Sequence, residues 1–372
     1  MKSKRPIVIT GGHHNSALAI AEKLKQQAVP LLWLGHRYTM IGDKHDSLEY
    51  QEVSAAGIPF INLLAGKFHS KTNPLHLIKI PLGFLHAALI LIRQRPKLVL
   101  AFGGYLSLPV GLVANLLKIP IICFEQTTTI GRANQIVSLK ADKNFLAWKS
   151  SYKHFPKSTS EIIGLPLRKS LFTAKPKKWF KNNLPVILVT GGKQGAHAIN
   201  QTVFEIISYL AKKFNIIHLT GFSQKTKDFA KAQQIKQSLP ANISSHYQAF
   251  KHLSWQKMES ALKNSHLIVS RSGAHIIYEM LVLAKPSVLI PLPFSYKNEQ
   301  QKNANMLTKN TSATLVNQQD LTPESLYQAI VNINKNYSKF LKSAAVSKKT
   351  IKTNAADKAV TYILKKYGSQ NS

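Results

Sequence analysis

The residues best suited to chemistry lie between Leu267 and Ala304. The apolar run Leu267-Ile268-Val269 leads into Ser270-Arg271-Ser272-Gly273, and a mostly apolar segment follows from Ala274 to Ala284. A short apolar run, a glycine and a longer periodic segment predict strand, tight loop and helix, the half-unit of a parallel α/β sheet. A helix opening at that loop brings unpaired backbone N–H groups and the positive end of its dipole to Ser272, Gly273 and Ala274, which suits a phosphate. Ala274, Ile277, Leu281 and Ala284 form the apolar stripe of this helix, and Glu279 lies roughly 200° from Ile277 at about 100° per residue, facing away from it. A carboxylate there can accept hydrogen bonds from both ribose hydroxyls while a diphosphate sits at the helix start. A nucleoside diphosphate fits this spacing; a solvated glutamate, or one paired with a lysine, fits it equally.

Other glycine loops need the same kind of support. Pro6 to Ile9 is a short apolar strand running into Thr10-Gly11-Gly12-His13, with a helix beginning near Ala17. A dinucleotide fold would place an acid about 20 residues on, at the end of the second strand. Here Leu31 to Leu34 ends in Gly35-His36-Arg37, so NAD is disfavoured. Leu98 to Ala101 leads into Phe102-Gly103-Gly104-Tyr105, a second glycine loop at a strand's carboxyl end, facing the same cleft as the first. Strand Pro120 to Phe124 is followed by Glu125-Gln126-Thr127, where Glu125, one of only 16 acids, is a candidate acid–base or orienting group. Val189-Thr190-Gly191-Gly192 nearly copies Ile9-Thr10-Gly11-Gly12, so the pattern predicts an α/β chain of two Rossmann-like domains facing a cleft. The expected division is 1–168, a linker at 169–185 containing Lys175-Pro176-Lys177-Lys178, a second domain at 186–345, and a basic closing helix within 346–372 that returns to the first domain.

At 372 residues, 44% of them hydrophobic, the chain can bury two ordinary cores. Its one cysteine, Cys123, excludes an intramolecular disulfide and fits a reducing cytosol. The basic start Met1-Lys2-Ser3-Lys4-Arg5 is followed by an apolar run that ends too soon, at Gly11-Gly12, for a signal peptide. A net charge of +34 favours polyanionic partners: nucleic acid, anionic lipid or a phosphorylated substrate. Nucleic-acid binding would rest on charge alone, because no C2H2 spacing, RNP-type aromatic motif or basic zipper is present. Leu75 to Ile92 is the most apolar window, but His76, Lys79, Pro81, Gly83 and His86 interrupt it and make it a poor membrane span. With Lys71, Arg93, Arg95 and Lys97 at its flanks it fits a surface patch that rests on anionic lipid; an ordinary core helix is the competing reading.

Several ordered motifs together resemble one family. Arg271-Ser272-Gly273-Ala274 with Glu279, Lys285-Pro286, Pro291-Leu292-Pro293 and Gln300 to Asn305 looks like the nucleotide-binding half of MurG-type glycosyltransferases. Upstream, Ala101 to Tyr105, Glu125-Gln126, Gly164-Leu165-Pro166-Leu167-Arg168 and Gly191-Gly192-Lys193-Gln194-Gly195-Ala196 continue the resemblance in the family's order over nearly the whole chain. Such enzymes move N-acetylglucosamine from UDP onto a membrane-anchored muramyl-pentapeptide diphosphate. The resemblance implies the GT-B architecture, inverting transfer without a cofactor, and a peripheral location on the cytoplasmic face of the cell membrane. Its implied partners are UDP-N-acetylglucosamine, a lipid-linked acceptor and the anionic membrane surface, with no nucleic acid. Thr10, Gly11, Gly12, Thr127, Arg168, Lys193 and Gln300 would join Ser272, Gly273, Ala274 and Glu279 around the donor. Gly11, Gly12, Gly103 and Gly104 would cradle the acceptor diphosphate, and His13 or Glu125 would take the acceptor's proton. No Asp-x-Asp is present, so catalysis need not use a bound metal. This chain departs from the family pattern at Ser16 (usually proline), Phe124 (histidine), Thr127 (asparagine) and Lys193 (serine), and its first glycine loop is shorter. The rival readings are a same-fold UDP-sugar transferase using another lipid acceptor, a UDP-sugar epimerase, and a basic nucleic-acid-binding or non-catalytic binding protein.

Overall fold

The computed structural model describes residues 5–38, 46–66 and 74–368; Met1 to Lys4 and Lys71 lie outside them, as do the side chains of residues 74–79. The chain divides into two compact units, residues 1–169 with 352–372, and residues 170–351.

The first unit is built on seven strands: β1 (Ile7–Thr10), β2 (Leu31–Gly35), β3 (Phe60–Asn62), β4 (Leu98–Ala101), β5 (Ile121–Glu125), β6 (Lys143–Leu146) and β7 (Ser160–Ile162). They form one parallel sheet in the order β3-β2-β1-β4-β5-β6-β7. The second unit carries β8 (Val186–Thr190), β9 (Asn215–Leu219), β10 (Tyr247–Phe250), β11 (Leu267–Ser270), β12 (Ser287–Leu289) and β13 (Ala313–Leu315), parallel in the order β10-β9-β8-β11-β12-β13. Central strands such as Ile7-Val8-Ile9 and Leu267-Ile268-Val269 are buried along their whole length. Continuous Val, Ile and Leu is what a sheet covered by helices on both faces requires. In both sheets the strand order reverses, between β1 and β4 and between β8 and β11, the place where open α/β sheets bind ligands at their carboxyl ends.

Helix Ala355–Tyr367 belongs to the first unit, where Ala355, Ala359, Val360 and Ile363 share a core with Ile7, Leu18, Phe124 and Phe145. The expected closing segment is shorter than 346–372, because helix Tyr337–Lys349 is part of the second unit. The expected linker 169–185 is likewise packed rather than free. Ser170 Oγ donates to Glu259 at 2.9 Å, the Lys177 N–H to Ser260 Oγ at 3.0 Å, and the Trp179 ring meets Phe250 edge-on. Its composition suggested a linker, but its aromatic and hydroxyl groups find partners on the second unit.

Residues 74–94 form one unbroken helix, Pro74–Gln94, with Pro81 inside it. Ala87, Ile90 and Leu91 face the core, whereas Leu82, Leu85, Leu89 and Ile92 are 47–59 % exposed. The exposed four recur at i, i+3, i+7 and i+10, a second apolar stripe on the side away from the sheet. No helix among the described residues is long and apolar enough to cross a membrane.

Candidate functional site

In the second unit β11 ends in the loop Arg271-Ser272-Gly273, and helix Ala274–Leu283 begins directly after it. The loop is braced by its own side chains. Arg271 donates to the carbonyls of Ile290 (3.1 Å) and Pro291 (3.2 Å) and to Gln318 Oε1 (2.5 Å), tying it to the end of β12. Ser272 is buried; its hydroxyl donates to the Gln300 carbonyl at 2.7 Å, and Asn303 Nδ2 donates to the Ser272 carbonyl at 3.0 Å. Ser272 therefore shapes the loop through both its hydroxyl and its carbonyl. The Gln300 side chain accepts the Leu292 N–H through Oε1 at 3.0 Å, which fixes the orientation of its amide. At the helix start a Cβ built on Gly273 would meet nothing within 4 Å, so backbone N–H groups border open space. Glu279 follows with its side chain 14 % exposed and its Oε1 3.3 Å from His275 Nε2. The glutamate thus has a neighbour, one turn back on the same helix.

Beside this loop lies a second. The register Thr190↔Ser270 places the segment Gly191–Ala196, after β8, next to the segment after β11. This turn is tightly closed. The Gly195 N–H donates to the Gly192 carbonyl at 3.0 Å, and Gly195 (φ +83°) comes so near the next crossover that a Cβ would sit 2.0 Å from the Thr220 carbonyl oxygen. Lys193 is half-buried on it, and burial pushes its ammonium down from the usual lysine range to about 8.

The first unit repeats the arrangement at β1 and β4, with Thr10 opposite Ala101. Gly11 (φ +134°) lies against Phe102, and the Gly12 N–H donates to the Gly103 carbonyl at 2.9 Å. The two loops are locked to each other, so the Gly12 N–H expected at a diphosphate is already engaged. Thr10 is fully buried at the end of β1. His13 is exposed immediately before helix His14–Gln26.

Three further expected site residues are already engaged within the first unit. Glu125 is 3 % exposed and has both oxygens filled: Oε1 by the Thr127 N–H (3.0 Å) and hydroxyl (2.8 Å), Oε2 by the Gly131 N–H (3.1 Å) and Asn134 Nδ2 (3.0 Å). A carboxylate so enclosed orients the loop after β5, the second of the two roles expected for it. Thr127 Oγ1 lies 2.8 Å from Glu125 and 2.6 Å from the Thr129 carbonyl, so its hydroxyl also serves the loop. Arg168, expected at the donor phosphates, has its side chain 9 % exposed, with Nε 3.1 Å from Glu22 and an Nη 3.6 Å from Glu52. Two carboxylates neutralise it within the first unit. Sequence reading missed Glu22 and Glu52; the available signal was the scarcity of acids, which singles out each carboxylate in this chain as a candidate partner for a buried cation.

Two doubly wound parallel units, each with paired loops at its strands' carboxyl ends, are the architecture called GT-B. Residues 9–146 match the glycosyltransferase family 28 N-terminal domain, and residues 186–361 match the glycosyltransferase family 28 C-terminal domain. The chain belongs to glycosyltransferase family 28. It is similar to the UDP-N-acetylglucosamine--N-acetylmuramyl-(pentapeptide) pyrophosphoryl-undecaprenol N-acetylglucosamine transferase of Clostridium perfringens, 29% identical over 93% of this chain and 94% of that one. The enzyme of the same name from Clostridium tetani is 28% identical over 99% of this chain and 100% of its own. The crystal structure of Acinetobacter baumannii MurG aligns with a TM-score of 0.68 at 27% identity, covering 97% of this chain and 100% of that chain.

Proposed function

We propose that this protein transfers N-acetylglucosamine from UDP-N-acetylglucosamine to the muramyl-pentapeptide of a polyprenyl-diphosphate acceptor, as its curated relatives are named for doing. The observation that carries this reading is the open helix start at Gly273–Ala274 with Glu279 on the same helix. The spacing suits a nucleoside diphosphate, its phosphates at the N–H groups and its ribose at the carboxylate. The acceptor hydroxyl attacks the anomeric carbon with inversion while UDP leaves. Two needs follow: a group to take the hydroxyl's proton, and positive charge for the departing diphosphate. His13, exposed at the first glycine loop, is assigned the first, since Glu125 is enclosed. The helix start and Lys193 are assigned the second. The enzyme works at the cytoplasmic face of the cell membrane without crossing it, held by the outer stripe of helix Pro74–Gln94 and its flanking Arg93, Arg95 and Lys97.

Incubation with UDP-N-acetylglucosamine and a short-chain muramyl-pentapeptide diphosphate lipid, read by mass spectrometry, tests the reading. One N-acetylhexosamine should be added to the acceptor and UDP released. Donor turnover without acceptor, or transfer only to a lipid lacking the muramyl-peptide, would overturn it.

A further inference from the structure

A buried carboxylate sits where the first two crossovers of the second unit meet. Asp228 opens helix Asp228–Ser238 after β9 and is 3 % exposed. It takes hydrogen bonds from Asn200 Nδ2 at 2.8 Å and Gln201 Nε2 at 3.1 Å, and His197 Nδ1 lies 2.8 Å from its Oδ1. Asn200 is anchored in turn: its Nδ2 also donates to the Thr220 carbonyl at 2.9 Å, and its Oδ1 lies 3.0 Å from His218 Nε2. His218 Nδ1 then meets the Tyr247 hydroxyl at 3.0 Å. Burial pushes His218 down to about 3, so that ring is neutral and the chain behind Asp228 is a fixed polar support.

His197 is the first residue of helix His197–Leu210, directly after the Gly191–Ala196 loop. Set 2.8 Å from an Asp228 oxygen, Nδ1 is placed to donate to it, a contact that selects the tautomer and aims the ring. The side chain is 53 % exposed, and with Nδ1 committed its open edge is Nε2. A tie between two loops needs only one N–H donor, which an asparagine would supply. A half-exposed imidazole aimed by a buried carboxylate has in addition a directed second nitrogen, the arrangement by which proteins present a histidine to a ligand.

We propose that His197, positioned by Asp228, is a further contact to the diphosphate of the nucleotide donor. Nε2–H donates to a phosphate oxygen, the ring carries both protons between the Asp228 carboxylate and the phosphate, and its charge offsets that growing on the leaving group. This rests on the donor reading above, in which the loop before His197 and the helix start at Ala274 flank the phosphates. Asp228 is a positioning residue.

The variant His197→Asn separates the two roles, because its amide can still donate to Asp228 but nothing replaces Nε2. UDP affinity, measured by titration calorimetry, should fall about tenfold in His197→Asn, the value of one hydrogen bond to a charged group, with the thermal midpoint unchanged. In the wild-type protein the His197 Nε2 resonance should move on addition of UDP while Nδ1 keeps its proton. Unchanged UDP affinity in His197→Asn, together with lost affinity in Glu279→Ala, would overturn the inference and leave the donor reading standing. Absence of UDP binding by the wild-type protein would overturn both. If the asparagine variant does not fold, the wild-type ring titration decides: a resonance indifferent to UDP makes His197 a structural tie.

Discussion

Sixteen acidic residues face fifty lysines and arginines in this chain, so where each carboxylate is spent says much about its work. Glu22 and Glu52 hold Arg168, Glu125 holds its own loop, and Glu279, largely buried, has a histidine beside it on its helix. Replacing Glu279 with alanine should weaken UDP binding by about tenfold or more, the loss of hydrogen bonds to a charged acceptor, and leave the thermal midpoint nearly unchanged; calorimetry with UDP and a melting curve read the two. Arg168→Ala should do the reverse. It strands two carboxylates and should cost about 1–3 kcal/mol of stability, with UDP affinity retained; a drop in affinity without a drop in stability would return Arg168 to the donor. Glu49 makes a pH prediction. Burial, against the opposing hydrogen bond from Trp33 Nε1 at 2.8 Å, pushes its carboxyl up from 4.5 to about 7. The folded protein then holds a proton that the unfolded chain releases. Stability is fully present below pH 4.5 and is lost as pH rises through about 7. Glu49→Gln keeps an acceptor for Trp33 and should flatten this slope in urea unfolding at pH 5 and pH 8.

Two glycines of the second unit show how much an element's packing decides. Gly195 is pressed against the β9 crossover, where a Cβ would lie 2.0 Å from the Thr220 carbonyl oxygen, while Gly273 has an ordinary φ of −65° and open space around it. Gly195→Ala should prevent the loop from closing and unfold or strongly destabilise the second unit. Gly273→Ala should fold with an unchanged melting temperature and bind UDP more weakly, because its methyl group fills the space where a phosphate would rest. The strands, the glycine loops and the helix start at Ala274 were legible in the sequence because each is written in a few adjacent residues: an apolar run, a small residue, a change of period. The partners of Arg168 were not legible because they lie far back along the chain, and the enclosure of Glu125 was not because it depends on how residues 127–134 curl around it. The segment 169–185 was read as a linker on composition, although its contacts come from Phe250, Glu259 and Ser260, which no local pattern brings near. Asp228 and His197 are likewise 31 positions apart.

For the molecule as a whole, the charge of +34 and the outer stripe of helix Pro74–Gln94 act at different ranges. Electrostatic attraction to an anionic surface reaches about 10 Å at 0.1 M salt and shrinks to about 3 Å at 1 M. Burial of apolar side chains is short-ranged and is not screened by salt. Leu82, Leu85, Leu89 and Ile92 are each about half exposed, and complete burial of such a side chain contributes roughly 1.5–3 kcal/mol. The protein should therefore bind vesicles containing anionic lipid strongly at low salt and keep a weaker, salt-resistant residue of binding at 1 M. Replacing Leu85 and Leu89 with serine should abolish that residue while leaving the low-salt attraction largely in place, since no charge has changed. Both positions point away from the core, so turnover of a water-soluble, short-chain acceptor should be unaffected. Vesicle sedimentation across a salt series, run beside the soluble-acceptor assay, reads all three quantities. Equal binding to neutral vesicles at low salt would show that charge is not what brings the protein to the surface. An unchanged high-salt residue in the serine variant would show that this stripe is not what holds it there.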